Sequence, residues 1–178
     1  FVGMRDTVKF PIREKIAGIN HMAWLLEIKD ADGNDLYPEI RRRACEILET
    51  SNMRMFSFFI PDGKYTEYRD EVIARIKKMV ELANERGIRL CHENEAEIYG
   101  ATPERCLDLL NEFGGELGCV FDMGNFVLDG YKPYPDAYML LRDYIEYFHI
   151  KDSLYAGAIV PPGCGEASIA EILKAHSE

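Results

Sequence analysis

From about residue 53 onward, short apolar runs alternate with longer segments in which apolar and charged residues recur at helical spacing. The short runs are rich in aromatic and β-favouring residues and predict strands. The longer segments predict amphipathic helices. The predicted order is a strand at 53–60, a helix at 66–86, a strand at 88–93, a helix at 102–113, a strand at 118–122, a helix at 135–145, a strand at 147–152, a short strand at 158–160 and a helix from 168 to about 175.

The main strands begin about 30 residues apart, which is the length of one strand–helix unit. This alternation predicts an α/β fold in which helices cover parallel strands. An open nucleotide-binding sheet would carry a glycine-rich phosphate loop, and none follows either of the first two predicted strands. The pattern therefore favours a (β/α) barrel. Because a complete barrel takes about 250 residues, a chain of 178 residues with four main strands predicts a partial barrel.

The composition argues against several classes of protein. The formal net charge of −10 disfavours binding to duplex nucleic acid, which requires a basic surface. No apolar run approaches the roughly 20 residues of a membrane span, and charged residues interrupt the place of a signal peptide. The five cysteines include no CxxC pair, so we expect reduced thiols and a cytoplasmic protein.

Polar side chains gather where three predicted strands end. Glu93, Asp122 and His149 are 29 and 27 residues apart, one on each successive strand. Because strand ends form the catalytic face of a barrel, we expect these side chains to converge. Any one of them alone would more simply be a helix cap, an ion-pair partner or a core histidine. Together they favour a divalent metal such as Mn²⁺, Mg²⁺, Co²⁺ or Zn²⁺.

Ordered motifs in residues 45–178 resemble those of the sugar-phosphate isomerase and epimerase family, the xylose-isomerase-like barrels. The motifs are Arg54-Met55-Phe56-Ser57-Phe58-Phe59, Leu90-Cys91-His92-Glu93-Asn94-Glu95 with Ile98-Tyr99-Gly100, Phe121-Asp122 with Asn125-Phe126, Tyr147-Phe148-His149-Ile150-Lys151-Asp152, and Val160-Pro161-Pro162-Gly163 with Ile172-Leu173. The resemblance implies a metal-dependent isomerase or epimerase that moves a proton beside the carbonyl of a sugar or sugar phosphate through an enediolate, or an incomplete or inactive fragment of one.

The same resemblance implies roles for individual residues. It makes Glu93, Asp122 and His149 metal ligands, Glu93 and Lys151 catalytic, and Arg54, His92 and Asn125 substrate-binding. For Lys151 and Arg54, a structural or solvent-facing charge is an equal alternative. The family's fourth ligand is a glutamate on the last barrel strand, which we expect to lie beyond residue 178. Cys164 stands where the family often has a glutamate.

Residues 1–44 carry a different resemblance. Ala17-Gly18-Ile19-Asn20-His21-Met22-Ala23-Trp24 and Asp35-Leu36-Tyr37-Pro38-Glu39 are similar to the family 4 glycoside hydrolases, the NAD- and metal-dependent α-galactosidases and α-glucosidases. In that family the residue matching His21 binds metal, and the one matching Asn20 contacts sugar. Because the dinucleotide domain and the cysteine ligand motif are absent, we interpret residues 1–44 as an irregular N-terminal segment, a remnant or a recombined junction.

Other functions stay open at this point. A non-catalytic half-barrel would serve as an interaction module and form a homo-oligomer through its open sheet edges, because unpaired edge strands invite partners. A remnant of an NAD-dependent α-glycosidase would need a phosphate loop that the sequence lacks. A metal-dependent endonuclease that repairs abasic DNA shares the Glu, Asp and His positions, but it uses more histidines than the four of this chain.

Overall fold

The computed structural model describes residues 50–60 and 63–177. Within them, four parallel strands form one sheet in the order β1-β2-β3-β4, and β5 and β6 form a separate antiparallel pair. The strands are β1 (Asn52–Met55), β2 (Arg89–Glu93), β3 (Gly118–Asp122), β4 (Ile145–His149), β5 (Asp152–Ser153) and β6 (Ile159–Val160). The helices are α1 (Tyr65–Asn84), α2 (Pro103–Glu112), α3 (Met123–Leu128), α4 (Tyr138–Leu141) and α5 (Ile169–Ser177).

The two faces of the sheet differ in chemistry, because successive side chains of a strand point to opposite faces. On one face, Met55, Leu90 and Phe121 are buried and belong to the hydrophobic core that the helices cover. The opposite face carries charged side chains, among them Glu93 and Asp122. We call this opposite face the site face.

The helices follow the apolar pattern of the sequence. In α1, Val72, Ile76 and Val80 recur at helical spacing, and all three are buried. α2 starts at Pro103, whose fixed φ suits the first helical position. The hydroxyl of Thr102 accepts a hydrogen bond of 3.2 Å from the backbone N–H of the third helical residue. This cap satisfies one of the free N–H groups at the start of the helix.

The register of the strands places the functional ends together. Glu93 pairs with Val120 across β2 and β3, and Asp122 pairs with His149 across β3 and β4. Cys119 pairs with Ile145 but Val120 pairs with Tyr147, so β4 has one extra residue, Glu146, at this point. The carboxyl-terminal ends of β2, β3 and β4, which carry these polar residues, therefore lie together at one end of the strands.

The strand predicted at 53–60 is wrong in extent, because β1 ends at Met55. Phe59 forms an isolated antiparallel bridge with Ile98. Between these points the hydroxyl of Ser57 accepts a hydrogen bond of 2.8 Å from the N–H of Gly100. The Ser57 side chain thus provides the hydrogen-bond acceptor that the backbone of a neighbouring strand would otherwise offer.

The helix predicted at 135–145 is also wrong. The chain forms an irregular helical turn at Pro133–Ala137, then α4, then a 3₁₀ turn at Arg142–Tyr144. Two prolines at the start of this segment cannot donate backbone hydrogen bonds, which favours irregular turns over one regular helix. β4 consequently runs from 145 to 149 rather than from 147 to 152. The short strand predicted near 158–160 is confirmed as β6.

The segment 1–44, with Asn20 and His21, lies outside the described residues. In the part of the chain that the structure describes, no helix has the length and hydrophobicity that crossing a membrane requires.

Candidate metal centre

The structure brings Glu93, Asp122 and His149 together at the carboxyl ends of β2, β3 and β4. One ligand atom from each side chain lies within 4.8 Å of the other two. The two carboxylate residues are buried, at 2% and 3% exposure, and the histidine is half-buried. This convergence agrees with the expectation from the sequence spacing, and we call the three residues the ligand cluster.

Direct contacts tie the ligand cluster to β1. Nδ1 of His149 lies 2.7 Å from Oε1 of Glu93 and 3.9 Å from Oδ2 of Asp122. The guanidinium of Arg54 donates to the other carboxylate oxygen of Glu93. The same guanidinium stacks over the ring of Phe56, 4.6 Å from its centroid. Glu93 is therefore held on both oxygens, by a cation on one side and by the imidazole on the other.

The pKa values of the two carboxyl groups shift in opposite directions. Burial opposes the ionisation of Glu93, but His149 and Arg54 outweigh it and keep the pKa of that carboxyl below its usual value. Burial raises the pKa of Asp122 to about 6, although the N–H of Asn125 and the ammonium of Lys151 oppose the rise. Two buried carboxylates beside an imidazole suit a divalent cation, whose charge would compensate their burial. The residues present therefore fit a metal ion.

Asn94, which follows Glu93 directly, fixes the end of β3. Its amide donates to the carbonyl of Asp122 at 2.9 Å, and its Oδ1 accepts from the N–H of Asp122 at 3.0 Å. Asn125 completes the support, since its own N–H donates to Oδ1 of Asp122 at 2.8 Å and its Nδ2 donates to the Asn94 carbonyl at 2.8 Å. The sequence placed Asn94 in a polar run but assigned it no role. Its partner Asp122 lies at the end of the neighbouring strand, so this role follows from the pairing of β2 with β3.

Lys151 reaches the same region from the segment after β4. Its ammonium group donates a hydrogen bond to Oδ1 of Asn125. Gly124 permits this approach, because a Cβ there would lie 2.8 Å from the Lys151 carbonyl oxygen. The predicted substrate-binding residue Asn125 and the predicted catalytic residue Lys151 therefore lie beside the ligand cluster and contact each other.

His92 is the one predicted site residue that the structure does not bring to the ligand cluster. It lies on the helix-covered face of β2, 1% exposed, and its Nε2 is 3.0 Å from the hydroxyl of Ser57. A Cβ at Gly100 would come within 2.3 Å of its ring, so the ring packs directly on that backbone. Burial lowers the pKa of His92 to about 4. The ring is neutral at pH 7 and supports the turn at Gly100.

Tyr147 also lies on the site face, although no role for it was predicted from the sequence. It precedes His149 by two residues and shares its face of β4, with the two ring centroids 5.7 Å apart. Burial raises the pKa of Tyr147, and the negative charge of Glu93 adds to that effect. The phenol therefore keeps its proton. The position of Tyr147 two residues before His149 was the signal in the sequence, because such residues of a strand share a face.

The family profile of the xylose isomerase-like TIM barrel matches residues 16–176. The chain belongs to the xylose isomerase-like TIM barrel family. This membership confirms the predicted α/β fold with a partial barrel. The match begins within the segment 1–44, whose sequence resembles a different family.

Solved structures support the same fold. A probable 3-DHS dehydratase involved in petrobactin synthesis, from Bacillus anthracis, has a TM-score of 0.66 at 22% identity over 77% of this chain and 57% of that protein. A xylose isomerase-like TIM barrel protein from Mycobacterium smegmatis, in complex with magnesium, has a TM-score of 0.61 at 16% identity over 83% of this chain and 58% of that protein. A D-allulose 3-epimerase from Methylomonas, in complex with D-allulose, has a TM-score of 0.60 at 15% identity over 83% of this chain and 53% of that protein. This member of the xylose isomerase-like family thus spans little more than half the length of each.

A second similarity involves a short fragment. The α-galactosidase of Bacillus subtilis (strain 168) is 61% identical over 51 residues, which are 29% of this chain and 12% of that enzyme. The glycoside hydrolase resemblance therefore extends to a minor part of a xylose isomerase-like chain.

Proposed function

We propose that this chain carries the metal-binding half of a sugar isomerase or epimerase, which moves a proton beside a carbonyl group through an enediolate. The observation that carries the proposal is the convergence of Glu93, Asp122 and His149 within 4.8 Å. The similar D-allulose 3-epimerase, whose structure contains D-allulose, supports a sugar as the substrate. A sugar phosphate is the narrower alternative within the same class.

Glu93, Asp122 and His149 would hold the cation. The structure of the Mycobacterium smegmatis protein contains magnesium, which supports a divalent ion here, with Mn²⁺, Co²⁺ and Zn²⁺ as the other candidates. A divalent cation in this position would supply Lewis-acid polarisation of a carbonyl and the neighbouring hydroxyl oxygen.

The surrounding side chains would bind substrate and move the proton. Glu93 is ionised at pH 7, so its carboxylate can accept a proton from the carbon beside the carbonyl. The ammonium of Lys151 would stabilise the negative charge that develops on oxygen. Arg54 and Asn125 would hold sugar hydroxyl groups, because both flank the ligand cluster.

The proposed reaction takes place in the cytoplasm. Cys91, Cys106, Cys119 and Cys164 are unpaired thiols in the described chain, which is typical of a reducing compartment.

The metal claim is tested with Asp122→Asn, because the asparagine keeps the side-chain oxygen that accepts from the Asn125 N–H but loses the charge. We expect the wild-type chain to bind one Mn²⁺ in isothermal titration calorimetry and the variant to bind it at least roughly tenfold more weakly, since even residues that only orient metal ligands contribute that much.

Asp143→Asn is the matched control, since Asp143 is 86% exposed and pairs with Arg142 at the surface. It should bind Mn²⁺ like the wild type. Equal affinities of the wild type and Asp122→Asn, or no binding by the wild type, would refute the proposed metal centre.

A further inference from the structure

The hydroxyl of Tyr147 is a buried polar group directed to the site face. Tyr147 pairs with Val120 in the sheet and lies two residues before His149 on β4, so the two side chains share a face. Its ring is tilted by 57° against the imidazole, with the centroids 5.7 Å apart. The charges of Glu93 and Arg54 both act on the phenol. Tyr147 therefore borders the ligand cluster on the side toward the start of the strands.

Within the described residues, Oη of Tyr147 is buried and has no hydrogen-bond partner. Nε of Arg54 is in the same state, although another nitrogen of that guanidinium binds Glu93. Leaving a buried donor without an acceptor is costly, and such groups in a cleft are commonly satisfied by a ligand or by ordered water. The two unsatisfied donors thus belong to residues that both interact with Glu93, Arg54 by a hydrogen bond and Tyr147 through the field of its charge.

The neighbouring groups do not offer these donors an acceptor. Val120 is apolar, and Cys91 carries a buried thiol whose own hydrogen bond, at 3.8 Å, goes to the carbonyl of Arg89. The two carboxylate oxygens of Glu93 accept from Arg54 and His149, and neither of them accepts from Tyr147. An acceptor that satisfies Tyr147 must therefore come from outside these side chains.

We propose that Tyr147 is a substrate-binding residue, whose hydroxyl acts with Nε of Arg54 to bind one oxygen atom of a polyhydroxy carbonyl substrate. The inference rests on the proposed function and extends it by a specificity contact. A neutral phenol and a guanidinium N–H both donate, so the atom they bind is a carbonyl or hydroxyl oxygen that accepts. This hydrogen bond would set how far the sugar chain extends past the ligand cluster toward the start of the strands.

The test compares Tyr147→Phe with the wild type in three measurements. Because the hydroxyl has no partner in the described protein, its removal should leave the urea midpoint unchanged or slightly raised. Mn²⁺ affinity by isothermal titration calorimetry should also be unchanged, because the phenol is not a ligand. The affinity of the Mn²⁺-loaded chain for D-allulose, with D-xylose as a second probe, should fall about three- to tenfold, as expected for one hydrogen bond.

Tyr144→Phe is the matched control, because the hydroxyl of Tyr144 donates to Oδ1 of Asn111 at 2.6 Å on the surface. It should lower the urea midpoint and leave sugar binding intact, the reverse of Tyr147→Phe. Equal sugar affinities in Tyr147→Phe and the wild type would overturn the role of Tyr147 and leave the proposed function standing. A clear fall in the urea midpoint of Tyr147→Phe would also overturn it, since the hydroxyl would then have a partner in folding. A wild-type chain that binds Mn²⁺ but neither sugar would overturn both proposals.

Discussion

The buried carboxylate of Asp152 holds a loop of this fold in place through hydrogen bonds to the backbone. It is 2% exposed, and its oxygens accept hydrogen bonds from the backbone N–H groups of Ser153 at 3.0 Å, Gly163 at 2.8 Å, Gly165 at 2.9 Å and Ala167 at 3.1 Å. Burial opposes ionisation, but these four donors together outweigh it and lower the pKa of the carboxyl. One charge therefore fixes the loop between β6 and α5.

The variant Asp152→Asn should destabilise the chain at pH 7 by about 2–3 kcal/mol, because hydrogen bonds to a charged acceptor are lost and an amide NH₂ faces N–H donors. The folded pKa of Asp152 lies below the unfolded value of about 3.9. Its stabilising effect is thus complete well above pH 4 and is lost as the pH falls through the folded pKa. Urea unfolding of both proteins at pH 7 and pH 3 measures this.

The exposed Asp143 provides the comparison for that measurement, and Asp143→Asn should change the free energy of unfolding by less than about 0.5 kcal/mol. A difference between wild type and Asp152→Asn that stays constant from pH 7 to pH 3 would contradict the assignment, because it would not depend on ionisation of the carboxyl.

At the same scale, the sequence predicted the members of the ligand cluster and their neighbours Arg54, Asn125 and Lys151, but not the roles of Asn94 and Tyr147. Glu93, Asp122 and His149 could be found because each terminates a strand, so position along the chain is enough to align them. Asn94 and Tyr147 could not be assigned, since their roles depend on which groups the neighbouring strands bring near. His92 is adjacent to Glu93 in sequence, but strand alternation places it on the opposite face.

At the scale of the elements, α2 depends on its cap. Replacing Thr102 by alanine removes the hydroxyl that accepts from the backbone of the third helical residue, and it should lower the free energy of unfolding by about 1 kcal/mol. Thr102→Ser should restore most of this, because the serine hydroxyl can cap equally well. Thr66→Ala, in the first turn of α1 where the side chain is exposed, is the control. A loss in Thr66→Ala as large as in Thr102→Ala would show that the cap is not the cause.

The boundaries of the elements were predicted well where both ends carry a local signal. α2 has a cap and a proline at its start, and β3 is a buried apolar strand that follows a pair of glycines, so both agree with the structure within about two residues. α3 was missed because it begins directly after β3, without an intervening turn sequence. The extent of β4 could not be predicted, since its extra residue is defined only by its pairing with β3.

At the scale of the whole molecule, the described chain consists of four strand–helix units with β1 and β4 at the outer edges of the sheet. An outer strand offers free backbone donors and acceptors to another chain. Three large apolar side chains that follow β4, Ile150, Tyr155 and Ile159, are 47%, 46% and 66% exposed. Within the described residues, the outer edge of β4 has no partner strand, and together with the exposed apolar side chains that follow β4 it favours self-association.

We therefore expect the chain to form a homo-oligomer through β4, seen in sedimentation velocity as a larger species that grows with protein concentration. Ile150→Lys should shift this equilibrium toward the monomer, because a lysine at a strand edge must be desolvated when another strand pairs there. Leu82→Lys is the control, since Leu82 in α1 is 48% exposed and lies on the helix layer away from β4. It should associate like the wild type, and so separate an effect of position from one of added charge. A wild-type chain that sediments as a monomer at every concentration would refute association through the sheet edge, and equal shifts in both variants would assign it to net charge instead.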